Sequence, residues 1–234
     1  MVDLTSEMAG LWAALGPSAP HRGRVIQFVA SSSGEGVSSV AREFARICAV
    51  RARKPVWLID ADLMSPSQMD AVHQDPERFG ALGSATASTP DGSSFFTIAP
   101  PLKSREGRAI APARLMLARP ALGRRLWVTR FRVEALKAGQ RPVIVASERY
   151  WQALRPHADT VIVDAPALDR SDAALVLAPY VDATVLVLAA ESTDVADAGV
   201  LRDEIEAAGG TIAGVVLNRS RFEMPGFLRR VAGG

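Results

Sequence analysis

Short aliphatic runs that stop at a polar residue constrain this 234-residue chain more than any other feature. Val25-Ile26-Gln27-Phe28-Val29-Ala30, Pro55-Val56-Trp57-Leu58-Ile59, Thr160-Val161-Ile162-Val163, Val185-Leu186-Val187-Leu188 and Ile212-Ala213-Gly214-Val215-Val216-Leu217 are nearly continuous in apolar side chains. Such runs suit strands buried on both faces, the condition of a parallel sheet. Leu126–Thr129 is a shorter candidate of the same kind. Between the runs lie helix candidates at Ser38–Val50, Arg141–Arg155, Asp172–Leu177 and Asp194–Ala208. In the first, Val40, Phe44, Ile47 and Cys48 recur at helical spacing. The alternation predicts an α/β fold, a mostly parallel sheet with helices on both faces. In such folds ligands gather beyond the carboxyl ends of the strands. Ala30, Asp60, Asp164 and Asn218 all fall there.

The remaining segments are less regular. Residues 76–124 are rich in Pro, Gly, Ser and Ala and read as a loose, mobile insertion. Within it Phe95–Ile98 reads as a strand, and Ile110–Leu122 as a helix interrupted by Pro112 and Pro120. At the head of the chain, Leu4–Leu15 suits a helix capped by Thr5 or Ser6. One domain over residues 1–234 is the expectation for this length, with 48% hydrophobic and 22% charged residues.

Composition excludes several classes. A net charge of +2 without a basic run gives no reason to expect nucleic acid. The single cysteine, Cys48, sits in an apolar helical pattern and reads as a buried thiol. His21, His73 and His157 are scattered and suggest no metal cluster. The most apolar window, Val185–Ala190, is far short of the ~20 residues that a membrane span needs. The first residues carry acids rather than a basic leader. The expectation is a soluble, cytoplasmic domain that can sit peripherally at the inner membrane through a protein partner.

The segment after the first run reads Ala-Ser-Ser-Ser-Gly-Glu-Gly-Val-Ser-Ser, residues 30–39. Compared with the phosphate-loop pattern GxxxxGK[ST], Ser31 stands at the first glycine, Gly36 at the second, and Ser38 at the magnesium-binding hydroxyl. Val37 stands where the lysine belongs. Gly34 and Gly36 allow backbone N–H groups to turn inward, and the following helix offers its positive end. Valine offers neither a donor nor a charge to the β and γ phosphates. A plain glycine turn between strand and helix remains the alternative for the loop taken alone. Asp60 and Asp62 leave the second strand together, and Asp164 ends the fourth. With Ser38 they make an oxygen set suited to magnesium. Helix capping or a solvated loop would explain each acid singly.

Taken together, four stretches resemble the cytoplasmic kinase domain of bacterial polysaccharide co-polymerases, the bacterial tyrosine autokinases. They are V-I-Q-F-V-A-S-S-S-G-E-G-V-S-S (25–39), V-W-L-I-D-A-D-L-M-S-P (56–66), T-V-I-V-D-A-P-A-L (160–168) with Ser171-Asp172-Ala173, and G-V-V-L-N-R (214–219). That family is a branch of the deviant P-loop ATPases, which also include the MinD- and ParA-like positioning ATPases. The Gly-Glu-Gly triplet and the Asp-Ala-Asp-Leu-x-x-Pro run favour the polysaccharide branch. The resemblance spans most of residues 25–219 and is poor across the middle insertion.

The resemblance implies a P-loop NTPase-like fold that binds ATP or ADP through Gly34, Glu35, Gly36, Ser38, Ser39 and Asn218. It implies magnesium at Ser38, Asp60 and Asp164, with Asp60 and Asp62 as candidate catalytic carboxylates. Several positions depart from the family pattern. The loop lysine falls on Val37, and a helix asparagine falls on Glu43. The subunit-packing helix reads Glu7, Gly10, Ala13, without its arginines. The carboxyl-terminal tyrosine cluster is missing from this sequence, whose two tyrosines are Tyr150 and Tyr180.

The expected function is a catalytically impaired, kinase-like regulatory or assembly protein of exopolysaccharide or capsule synthesis and export. Its expected partner is an inner-membrane co-polymerase or another export protein. Phe222, Phe227 and Leu228 beside Arg221, Arg229 and Arg230 form either a docking tail or a packed terminal turn. Three alternatives stand. One is a weak ATP-hydrolysing or autokinase enzyme that borrows Lys103, with Lys54 and Lys137 the only other lysines. The second is a positioning-ATPase relative. The third is a pure scaffold with a collapsed pocket, Val37 packed inward against the sheet and apolar side chains over Gly34 to Ser38.

Overall fold

A computed structural model of the chain describes residues 4–16, 18, 22–104, 106–190 and 193–219. His21 and the basic, aromatic segment 221–230 lie outside the described residues.

The expected strands form, and their pairing sets the architecture. Strands β1 (Arg24–Val29), β2 (Val56–Asp60), β3 (Thr86–Ala87), β5 (Met116–Ala121), β6 (Leu126–Phe131), β8 (Thr160–Asp164), β9 (Ala183–Ala189) and β10 (Ile212–Asn218) make one eight-stranded sheet. Its order is β10-β9-β1-β8-β2-β6-β5-β3. The six strands from β10 to β6 run parallel, whereas β5 and β3 are antiparallel additions. A separate two-stranded antiparallel sheet pairs β4 (Phe96–Ala99) with β7 (Arg141–Ile144).

Alternate side chains of the central strands supply two cores, as period-two geometry requires. Ile26, Phe28, Leu58, Ile162 and Val185 face one side. There they meet Phe44 of α2 (Val37–Arg51) and Met8 of α1 (Thr5–Leu15). Val25, Trp57, Ile59, Val161 and Val163 face the other side, against Tyr150 and Trp151 of α5 (Glu148–Leu154). Val29 and Leu186 meet Leu201 and Ile205 of α7 (Val195–Ala207) in a third cluster. With helices on both faces, the architecture is the expected α/β fold.

Several local expectations change. The amino-terminal helix starts at Thr5, with Leu4 as N-cap and no side-chain cap, so neither Thr5 nor Ser6 closes it. Instead the Thr5 hydroxyl accepts from Arg46 Nη2 at 2.8 Å. Residues 110–122 contain no α-helix. Pro112–Leu115 makes one 3-10 turn, and Met116–Ala121 pairs with β6. The turn into β6 takes Leu122, Gly123 and Arg124 at positive φ. Arg141–Ile144 is strand rather than helix, because it pairs with Phe96–Ala99. Residues 76–124 thus contribute α4 (Pro76–Phe79), β3, β4 and β5. Phe95 and Phe96 seat this segment against Tyr150, Trp151 and Phe131 through ring contacts of 4.9–5.4 Å.

Candidate phosphate-binding site

The phosphate loop is shaped by contacts from distant parts of the chain. Gly34 and Gly36 take φ values of +89° and +92°, which glycine adopts without strain. A Cβ on Gly36 would lie 2.0 Å from Asn218 Nδ2, so this position has no room for any side chain. Asn218 Nδ2 donates to the Glu35 carbonyl at 2.8 Å, and its Oδ1 accepts from Arg219 N at 2.9 Å. The Glu35 carboxylate turns inward, accepting from Ser32 N at 3.4 Å and from the Thr193 hydroxyl. Glu35 and Asn218 therefore brace the loop by holding its backbone from behind. Ser33 donates from its N and Oγ to Asp169 at 2.8 and 2.9 Å.

Helix α2 starts directly from this loop, with Gly36 as its N-cap and no capping side chain. The backbone N–H groups from Gly34 to Ser38 have no acceptor among the described residues. Uncapped donors at the positive end of a 15-residue helix suit an anion. Val37 is buried and joins the apolar cluster of Phe28, Val40 and Phe44, yet it also touches the cleft above the loop. The cleft stays open, about 430 Å³ in volume, so Val37 does not fill it. Its walls are the loop from Ser32 to Ser39 with Asp62, Ser65, Ser67, Asp164, Pro166, Arg170 and Arg219.

The three aspartates have different surroundings. Asp60 is buried, and its carboxylate accepts from Asp62 N at 3.2 Å, Ser67 N at 2.7 Å and Gln68 N at 2.9 Å. It orders the start of α3 (Gln68–His73) and does not line the cleft. Burial, and then the nearby charge of Asp164, hold its pKa well above the usual carboxylate range. Asp62 does line the cleft; its Oδ2 pairs with Arg170 Nη1 at 2.7 Å and its Oδ1 accepts from Ser65 N at 3.1 Å. Asp164 lines the cleft from below and is almost fully buried. Gln68 Nε2 donates to its Oδ2 at 2.6 Å, while Oδ1 has no hydrogen-bond partner. Burial raises the Asp164 pKa to about 6, against the opposing effects of Gln68 and Ser38.

This donor set fits a magnesium-bound diphosphate. Backbone N–H groups and the helix end suit phosphate oxygens. The Ser38 hydroxyl and the orphaned Asp164 Oδ1 suit a hydrated magnesium ion, which binds one or two protein oxygens and keeps several waters. Among the described residues no three His, Cys, Asp or Glu side chains converge as a metal cluster. Magnesium would therefore arrive with the phosphates rather than occupy a cage of its own.

The sequence placed Asp60, Asp62, Asp164, Gly34, Gly36 and Ser38 at one edge of the sheet, but it did not separate bracing residues from lining ones. It missed Gln68, whose Oε1 accepts from Arg42 while Nε2 reaches Asp164. It also missed Arg170 and Arg219, the cations that line the cleft. No lysine lines the cleft among the described residues; Lys103 lies in a backbone bridge to Ala109, and Lys54 Nζ donates to the Pro156 carbonyl.

No family model and no curated protein matches the sequence. Solved structures match in fold. The kinase domain of VpsO aligns over 85% of this chain and 86% of its own, at 22% identity and a TM-score of 0.54. The kinase domain of the Escherichia coli tyrosine kinase ETK aligns over 94% of this chain and 75% of its own, at 15% identity and a TM-score of 0.56. A nucleotide-binding protein from Archaeoglobus fulgidus, solved with ADP, aligns over 87% and 69%, at 19% identity and a TM-score of 0.52. This chain has the P-loop NTPase-like fold. Among its described residues no helix is long and apolar enough to cross a membrane.

Proposed function

We propose that the chain is a nucleotide-binding, kinase-like protein that regulates or assembles exopolysaccharide or capsule synthesis and export, with little or no phosphoryl transfer of its own. One observation carries this reading. The loop donors and the magnesium-side carboxylate are in place, while an aliphatic side chain built into the core stands at the transfer lysine. Binding needs the first group of features; transfer needs a charge that follows the developing negative charge on the phosphates. The Asp-Ala-Asp-Leu-x-x-Pro run supports the polysaccharide pathway, with an inner-membrane co-polymerase as partner. Of the two tyrosines, Tyr150 is fully buried, which argues against it as a phosphate acceptor.

Calorimetric titration with ADP and ATP, with and without magnesium, tests the proposal alongside a turnover assay. Micromolar, magnesium-dependent binding without turnover is expected. Val37→Lys should tighten binding about ten- to a hundredfold, the worth of one charge-assisted hydrogen bond. Absence of nucleotide binding by the natural chain refutes the reading. Turnover lost on Asp164→Asn would make the protein an ATP-hydrolysing enzyme instead.

A further inference from the structure

We propose that Arg170 supplies the positive charge the loop lacks at Val37, by leaving Asp62 for the phosphates of a bound nucleoside diphosphate or triphosphate. The assignment rests on the nucleotide reading above and names the residue that makes it work without a lysine.

The backbone beside Arg170 is tied to the phosphate loop. Leu168 N donates to Ala30 O at 3.0 Å, and Asp169 N to Ser31 O at 3.2 Å. The Asp169 carboxylate accepts from Ser33 N and Oγ. Arg170 N closes the turn onto Ala167 O at 3.0 Å. This anchoring fixes where the arginine side chain starts, on the lining of the cleft that Val37 also touches. Among the described residues the guanidinium is held by Asp62 Oδ2 at 2.7 Å and Ser65 Oγ at 3.4 Å, and its side chain is 45% exposed.

A half-exposed ion pair is weak and exchanges readily. A diphosphate offers more charge than one carboxylate, and its paired oxygens match the planar guanidinium fork. The uncapped loop residues and Asp164 line the same cleft as Arg170. Arg219, the other lining cation, lies beyond β10 with its backbone N bound to Asn218 Oδ1. Asp62, Pro166 and Arg170 also wall a neighbouring cavity of about 350 Å³. Exchange of Arg170 from Asp62 to phosphate therefore takes from Asp62 its ion-pair partner in a cavity whose other charged lining residues are Arg141 and Asp172.

The test is ADP titration of the full chain at saturating magnesium, the condition under which the site reading expects binding. Arg170→Ala should weaken ADP binding about ten- to a hundredfold, with Arg170→Lys in between and AMP less affected than ADP. Asp62→Ala removes the competing anion and should tighten ADP binding about two- to fivefold. Thermal melts confirm that the variants remain folded, as expected for a half-exposed position. ADP binding that survives Arg170→Ala, or that falls only in Arg219→Ala, overturns the assignment and leaves the site reading intact. Failure of the natural chain to bind ADP overturns both.

Discussion

Asp164 should make the ligand-free protein less stable than it could be, and Asp164→Asn should reveal by how much. The carboxyl group has an ordinary pKa of 3.8 and is raised to about 6 in the fold, chiefly by burial. The folded value lies above the unfolded one, so the folded chain binds this proton more tightly. That contribution is fully present below about pH 4 and is lost as pH rises through about 6. A rise from 3.8 to about 6 corresponds to a cost of about 3 kcal/mol for keeping the group ionised at pH 7.5. Asparagine retains a partner for Gln68 and carries no charge, and it relieves Asp60 of its neighbour's field. The variant should be more stable at pH 7.5 by about 2–3 kcal/mol, or about 5–10 °C in Tm for a chain of this size. The difference should vanish near pH 4. Thermal and urea unfolding from pH 4 to 8 measures it, compared between the two proteins so that other carboxylates cancel. Saturating magnesium and ADP should reverse the order, because only the natural chain gains from the cation. A variant less stable at pH 7.5, or a difference that does not change with pH, would show that Asp164 is structural.

The two loop glycines should respond unequally to alanine. Gly34→Ala meets open space and bears only the backbone strain of positive φ, about 1–2 kcal/mol. Gly36→Ala must also displace Asn218 from the Glu35 carbonyl, adding about 1 kcal/mol, so urea unfolding should rank it clearly lower. Cys48 is buried and its pKa is pushed up to about 12, so a thiol reagent should label it only after denaturant is added. Labelling of the native protein within minutes would contradict the packing of α2.

What the sequence revealed followed what local pattern encodes. β1, β2, β8 and β9 were readable because strands buried on both faces are apolar throughout; β10 is as apolar in sequence but lies at the sheet edge, with Val215 and Leu217 exposed. Met116–Ala121 was not, because Pro112 and Pro120 suggest a broken helix and only the pairing with Leu126–Phe131 decides for strand. Arg141–Ile144 was absorbed into a helix for the same reason; its partner lies more than forty residues earlier in Phe96–Ala99. At the site, motif residues located the cleft, but their tasks depend on direction. Asp60 and Asp62 are two residues apart, and one turns under α3 while the other turns into the cleft. Arg170 carries no motif. The only sequence signal was its place in Asp169-Arg170-Ser171-Asp172, a charged stretch soon after a strand tip.

The hydrogen bond from Asn218 to the Glu35 carbonyl closes a span of 183 residues. Closing a loop of that length carries a high entropic cost, and folds rich in such contacts fold slowly. During synthesis, an early-folding amino-terminal half would carry the glycine loop with nothing to set its curvature. Only arrival of the last strand completes it. The curvature of the loop thus reports that the described sheet is complete through β10, which a chain truncated before Asn218 would lack.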